Sequence, residues 1–282
     1  MRVLWTAVPA LAALVATGLA ATGFAASAAP TSLAPHRVVY DLSLAKATGT
    51  RGVENARGRI AFDFLGDNCE GYALTYRQVT VLESGEVGSK TSDMRTATFE
   101  TGDGRSFRFR TDSEIEGAAA KKLDGDAERR REGGLAVRLK QPKPERFTFG
   151  DDPLFPSDHM KRLIAAARAG ETTFSIKVFD GSDDGHKVYD TLAVIGRRLE
   201  PGAEEAIDAP LRIAAMQKLA RWPVTLSYFT PGRGEQTPVY TITFELYENG
   251  VSRALKLDYG EFALKGDVAQ FELKESASAC QR

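Results

Sequence analysis

Histidine, cysteine and methionine are scarce in this chain. Its 282 residues include three histidines, two cysteines and four methionines. Neither cysteine has a cysteine or histidine neighbour at the spacing of a zinc site, so no metal centre is expected. No serine lies in a G-x-S-x-G elbow, and no catalytic residue and no cofactor is assigned. Charge of one sign is lacking as well. Lysine and arginine total 37 against 38 aspartate and glutamate, a net charge of -1. A nucleic-acid binder carries a strong basic excess as a rule, and that class is set aside. One apolar run opens the chain. No second run of about 18 residues follows, which leaves no membrane-spanning helix in the mature protein.

The first run reads as an export signal. Arg2 supplies the positive start, Val3 to Leu19 is apolar and alanine-rich, and Ala26-Ser27-Ala28 offers a small-residue cleavage site. The expected division is a signal peptide over 1–28 and a single β domain over 29–282. Removing 1–28 takes away only Arg2 among the charged residues, so the 37 basic residues become 36 against 38 acidic, a net charge of -2. In an exported chain an even cysteine count suggests a disulfide. Cys69 and Cys280 would tie an early strand to the C-terminal end. Closing a loop of roughly 210 residues is worth at most about 5 kcal/mol in the chain-entropy model. Two free thiols are the alternative.

What is abundant is two-residue alternation. Val38, Tyr40, Leu42 and Leu44 share a strand face, as do Ile60, Phe62 and Phe64, then Tyr72, Leu74 and Tyr76. Phe107 and Phe109 alternate with Arg108 and Arg110. Gly102-Asp103-Gly104 and Asn249-Gly250 are hairpin turns, the second the strongest in the chain. Leu135, Val137 and Leu139 mark a further strand, which Pro142 and Pro144 stop. Glu114 to Lys122 reads as a loop. The tail from Trp222 to Lys274 reads as a meander, with separate strands at 261–265 and 267–274. The total is about 13 strands, an all-β antiparallel architecture.

One segment breaks the pattern. Met160, Leu163, Ile164 and Ala167 stand at helical spacing, which predicts an α-helix over about 156–169. Ser157 is the expected N-cap, Asp158 suits the positive end of the helix dipole, and Gly170 the left-handed position past the end. His159 is the residue with most chemical potential here. Ser157 and His159 are two apart and point apart on a helix, so a Ser-His-Asp set is not built. His159 is expected to be structural or ligand-facing, at the mouth of whatever the sheet encloses. The cluster Asp180, Asp183, Asp184, His186 and Asp190 lacks a calcium-loop pattern and reads as a turn between two strands. Trp222, Tyr228 and Phe229 form an aromatic strand face. If the sheet closes into a cup, some of these rings face its interior, which could hold a lipid tail. Tentative ligand or partner residues are therefore His159, Met160, Leu163, Trp222 and Tyr228.

Seven stretches, in order, carry a family resemblance: HRVVYDLSL at 36–44, CEGYALTYRQ at 69–78, GDGRSFRF at 102–109, LFPSDHMKRLIAAARAGETTF at 154–174, FDGSDDGHKVYDTLAVIG at 179–196, RWPVTLSYF at 221–229 and YTITFELYENGVSRALKLDYGEFALKG at 240–266. Together they resemble the cell-envelope integrity EipB family of alphaproteobacterial periplasmic proteins. The resemblance implies a β-spiral, a curved, open, barrel-like sheet wound into a cup and similar in broad shape to periplasmic lipoprotein carriers. It implies a structural Cys69–Cys280 disulfide and a periplasmic location. It implies a role in envelope integrity under stress, without a known enzymatic activity, and a periplasmic tetratricopeptide-repeat protein as partner. The expected function is a non-enzymatic envelope protein that binds a lipid or other hydrophobic component, or a partner protein, in or beside the cup. A hydrolase of envelope polymers using His159 and a purely structural scaffold are the alternatives.

Overall fold

The structure is a computed structural model and describes residues 31–48, 52–85, 88–202, 207–232 and 237–275. The expected signal peptide and Cys280 lie outside the described residues. Among the described residues fourteen strands form one sheet: β1 (His36–Ala47), β2 (Val53–Asp67), β3 (Gly71–Ser84), β4 (Gly88–Thr101), β5 (Ser106–Ile115), β6 (Lys121–Arg129), β7 (Leu135–Gln141), β8 (Glu145–Phe149), β9 (Thr173–Val178), β10 (Tyr189–Ile195), β11 (Arg221–Phe229), β12 (Tyr240–Tyr247), β13 (Ser252–Asp258) and β14 (Phe262–Leu273). One long helix, α1 (Pro156–Arg168), separates β8 from β9, and a four-residue helix, α2 (Ala214–Gln217), lies before β11.

The order across the sheet is β8-β7-β6-β5-β4-β3-β2-β1-β14-β13-β12-β11-β10-β9. The chain meanders outward from β1 to one edge at β8. It then crosses through α1 to the opposite edge at β9 and meanders back, so that β14 pairs antiparallel with β1. The sheet stays open, with β8 and β9 as its two ends, but it curls strongly. Leu154, just before α1, bridges in parallel to Val178. Phe107 and Phe109 on β5 meet Phe155 and Phe179, at ring-centroid distances of 5.2 Å for Phe107–Phe155 and 5.7 Å for Phe109–Phe179. The β9 end is thus tucked against the inner face of the β5–β7 arm, where Leu123, Leu135, Val137 and Leu139 complete a small second core. His186 stacks on Phe147 of β8 at 4.5 Å, so the acidic turn of the sequence is also a packing loop.

Three differences from the sequence expectation account for fourteen strands in place of thirteen. The expected loop from Glu114 to Lys122 keeps a turn at 116–120, but its ends belong to strands, and β6 (Lys121–Arg129), which alternation did not mark, follows it. β8 forms directly after Pro144. The two expected strands at 261–265 and 267–274 are one continuous β14.

The helix forms because its stripe has a core to enter. Leu163 and Ile164 are fully buried, and Ala166 and Ala167 nearly so. Each buried aliphatic side chain of that size is worth about 2 kcal/mol. Pro156 occupies the first turn, where its missing N–H costs nothing. The N-cap is Phe155, in extended conformation, and not Ser157, and no side chain of the helix caps itself. The cap comes from elsewhere in the chain, as described below. At the other end Gly170 takes a φ of +80°, as its position past the helix implies.

Candidate ligand-binding site

The concave face encloses a cavity of about 340 Å³. Its first wall is the inner row of β2 and β3: Ile60, Phe62, Phe64, Tyr72, Leu74 and Tyr76. These are the residues that two-residue alternation assigns to one face, and cross-strand register sets Phe62 beside Tyr76 and Phe64 beside Leu74. The second wall comes from β11 to β13, with Leu226, Tyr228, Tyr240, Ile242, Phe244, Leu255 and Leu257. Pro156, Ser157 and Met160 of α1 reach in from the helix. An aromatic and aliphatic cavity of this size with a few convergent polar groups has the make-up of a small-molecule site.

Partly exposed tyrosines fringe one end. Tyr228 and Tyr240 have ring centroids 6.1 Å apart, and Tyr259 follows Tyr240 at 5.3 Å. Gln78 Nε2 donates to Tyr259 Oη at 3.4 Å, which links β3 to the turn after β13 across that end. Tyr76 Oη donates in turn to Gln78 Oε1 at 2.5 Å. Burial raises the phenols of Tyr76, Tyr228 and Tyr240 above their ordinary range, so they stay neutral hydrogen-bonding groups.

Two buried ionisable residues belong to the walls. Glu100, 2% exposed, sits on β4 opposite Tyr72 and Phe107. Its Oε2 accepts from Ser157 N at 2.7 Å and its Oε1 from Asp158 N at 3.1 Å, so it caps α1 from the sheet. Burial nevertheless pushes its pKa up to about 7, against the lowering effect of those hydrogen bonds. His36, 4% exposed, opens β1 in phase with Val38 and Tyr40. Its ring stacks on Phe62 at 5.4 Å and its Nδ1 lies 2.8 Å from Ala34 O. Burial lowers its pKa, so it is neutral.

The five residues singled out from the sequence are not brought together. Met160 and Tyr228 line the cavity. His159, Leu163 and Trp222 do not. His159 is not at a mouth but is 4% exposed, on the face of α1 turned to β9 and β10. Its ring stacks on Phe174 at 6.0 Å and its Nε2 lies 3.5 Å from Thr191 Oγ1. Burial lowers its pKa to about 4. Leu163 and Trp222 are sealed in the core, Trp222 under the guanidinium of Arg198 at 6.0 Å. Cys69 lies in the turn between β2 and β3, where its N–H donates to Asp67 Oδ1 at 2.8 Å. No described cysteine is free. Sequence reasoning missed His36 and Glu100. The signal for His36 was its phase with a core row; nothing local marks Glu100, whose partners lie on a distant helix.

Among the described residues no helix is long and apolar enough to cross a membrane. The chain is 33% identical over 246 residues to the cell envelope integrity protein EipB of Brucella abortus (strain 2308), a match that covers 86% of this chain and 85% of that one. Its fold is similar to the crystal structure of a beta-barrel-like protein of domain of unknown function DUF1849 from Brucella abortus, with a TM-score of 0.78 and 33% identity, over 86% of this chain and 99% of the other. The family profile described as EipB-like matches residues 27–275, and the chain belongs to that family.

Proposed function

We propose that this chain supports the integrity of the cell envelope from the periplasm by holding a hydrophobic chain in the cavity between the β2–β3 and β11–β13 walls. The carrying observation is the cavity itself, about 340 Å³ lined by aromatic and aliphatic side chains on the concave face of the sheet. The envelope role is supported by the related protein named for it. The periplasmic location is supported by the export pattern of residues 1–28. The reading is of a binder and not a catalyst. His159, the residue on which a hydrolase would depend, has Thr191 Oγ1 as its polar neighbour at 3.5 Å and is held neutral by burial. A tetratricopeptide-repeat partner is a further expectation, and it rests on the family resemblance alone.

The test is organic extraction of the mature protein purified from the periplasm, with the extract read by mass spectrometry. An aliphatic component should co-purify, and Ile242→Trp, which fills the cavity from its wall, should lose it. A native protein that carries no such component and binds no added long-chain probe would remove the reading.

A further inference from the structure

The walls carry five buried polar side chains: His36, Tyr40, Tyr72, Glu100 and Ser157. Four are committed to protein partners. Tyr40 Oη donates to Ser252 O at 2.8 Å and Tyr72 Oη to Asn68 Oδ1 at 2.9 Å. Glu100 holds the N–H groups of Ser157 and Asp158, and the Ser157 side chain also bonds Glu100. His36 differs. The only neighbour of its Nδ1 is a carbonyl oxygen, which can only accept, so Nδ1 carries the hydrogen. Nε2 is then a bare lone pair, and no described residue donates to it. Nε2 is within reach of water, so water can meet it, and a ligand that displaces that water without bringing a donor leaves it unmet.

We propose that the cavity takes a single aliphatic chain that carries a neutral hydroxyl, and that His36 Nε2 accepts the hydrogen bond from that hydroxyl. This rests on the binding reading above and narrows it to one ligand class. Volume limits the occupant to one chain. The cavity is more than twice the void of about 150 Å³ that holds one benzene ring, which admits a dozen or so carbon atoms. Charge is excluded by the surroundings. A carboxylate would meet a lone pair at His36 and the Glu100 carboxyl, and an ammonium would shed its water for walls that are mostly hydrocarbon. A hydroxyl brings one donor to the one open acceptor.

The experiment compares dodecan-1-ol with dodecyl methyl ether, which has the same chain and no donor, by calorimetry on the mature protein, with dodecanoate as the charged control. The alcohol should bind at least about tenfold more tightly than the ether. His36→Phe should bring the two within about twofold of each other. Equal affinities in the native protein, or a preference that survives in His36→Phe, overturn the hydroxyl assignment and leave the hydrophobic site standing. If neither chain binds, both readings fall. Nitrogen NMR of the native protein guards against a misfolded variant: the His36 Nε2 resonance should move with the alcohol and stay in place with the ether. A resonance that ignores the alcohol also overturns the assignment.

Discussion

The Glu100 carboxylate receives the backbone N–H of Ser157 at 2.7 Å, across 57 residues of sequence and from a different structural element. A helix start normally finds its acceptor within its own first turn. Here Pro156 and the extended Phe155 leave Ser157 and Asp158 without a local cap, and β4 supplies it. The arrangement fastens the only long described helix to the arm of the sheet that forms one wall of the cavity. Glu100→Ala deletes the acceptor and strands two N–H groups at a largely buried helix end. The expected loss is about 2–3 kcal/mol. In a domain of this size that is a fall in melting temperature of roughly 5–10 °C. Glu100→Gln keeps one acceptor and should lose less. Thermal melts of both variants decide it, and an unchanged Glu100→Ala melt would discard the capping role.

The same residue enters a pH balance with His159. Glu100 titrates near 7 in the fold and near its ordinary 4.5 when unfolded. Between those values the native state holds the extra proton, so this group makes stability fall as pH rises. His159 titrates near 4 in the fold and near its ordinary 6.5 when unfolded. Between those values the unfolded state holds the extra proton, so this group makes stability rise with pH. His36 is shifted in the same sense as His159, and Asp180 in the same sense as Glu100. The two slopes oppose each other from about pH 4.5 to 6.5, each limited to about 1.4 kcal/mol per pH unit. Denaturant unfolding at pH 4.5, 5.5 and 6.5 should therefore give a nearly flat native profile. It should rise with pH in Glu100→Gln and fall in His159→Leu. Parallel profiles in all three proteins would contradict the opposed titrations.

Much of the architecture was legible because alternation is loud where side chains are large. Phe62 and Phe64, Leu74 and Tyr76, and Phe107 and Phe109 declared their faces, and those faces are the walls and the second core. β6 was illegible for a complementary reason. Its inward residues are Leu123, Gly125 and Ala127, because Phe109 already fills the space: a Cβ on Gly125 would stand 2.6 Å from the Phe109 ring. A strand that yields its volume to a neighbour shows no hydrophobic period. The cavity was legible in kind but not in membership. Trp222 and Leu163 are as apolar as Tyr228 and Met160, and only the curl of the sheet decides which of them meet empty space. Glu100 could not be read at all, since its function is a contact between β4 and α1 that no local spacing encodes.

Reduction should destabilise the protein. Cys69 sits in the β2–β3 turn, next to the Asp67 carboxylate that holds its N–H, and we propose Cys280 as its covalent partner. A bridge over that much chain contributes at most about 5 kcal/mol by restricting the unfolded state. Melting with and without reductant should separate by up to roughly 10–20 °C, and Cys69→Ala or Cys280→Ala should melt like the reduced protein. Equal melting in both conditions would argue for two thiols.

The two arms pack tightly where Gly181 meets Phe109. Gly181 has a φ of +66°, and a Cβ built there would lie 2.4 Å from Phe109 Cγ. Phe109 cannot step aside. It is 3% exposed and is held between Phe107 at 5.8 Å and Phe179 at 5.7 Å. Gly181→Ala therefore meets both a disfavoured backbone conformation and a ring face, and either the β9 end lifts from β5 or the ring is driven out of the core. Gly170→Ala separates the two effects, because Gly170 has a similar φ of +80° with no atom within 4 Å of the added carbon. The backbone effect alone should cost about 1 kcal/mol. Gly181→Ala should cost about 3 kcal/mol or more, since overpacking adds to it. Denaturant midpoints of the two variants, measured side by side, check the difference. If they coincide, the arms are not locked at this contact, and the curl that shapes the cavity must be held elsewhere.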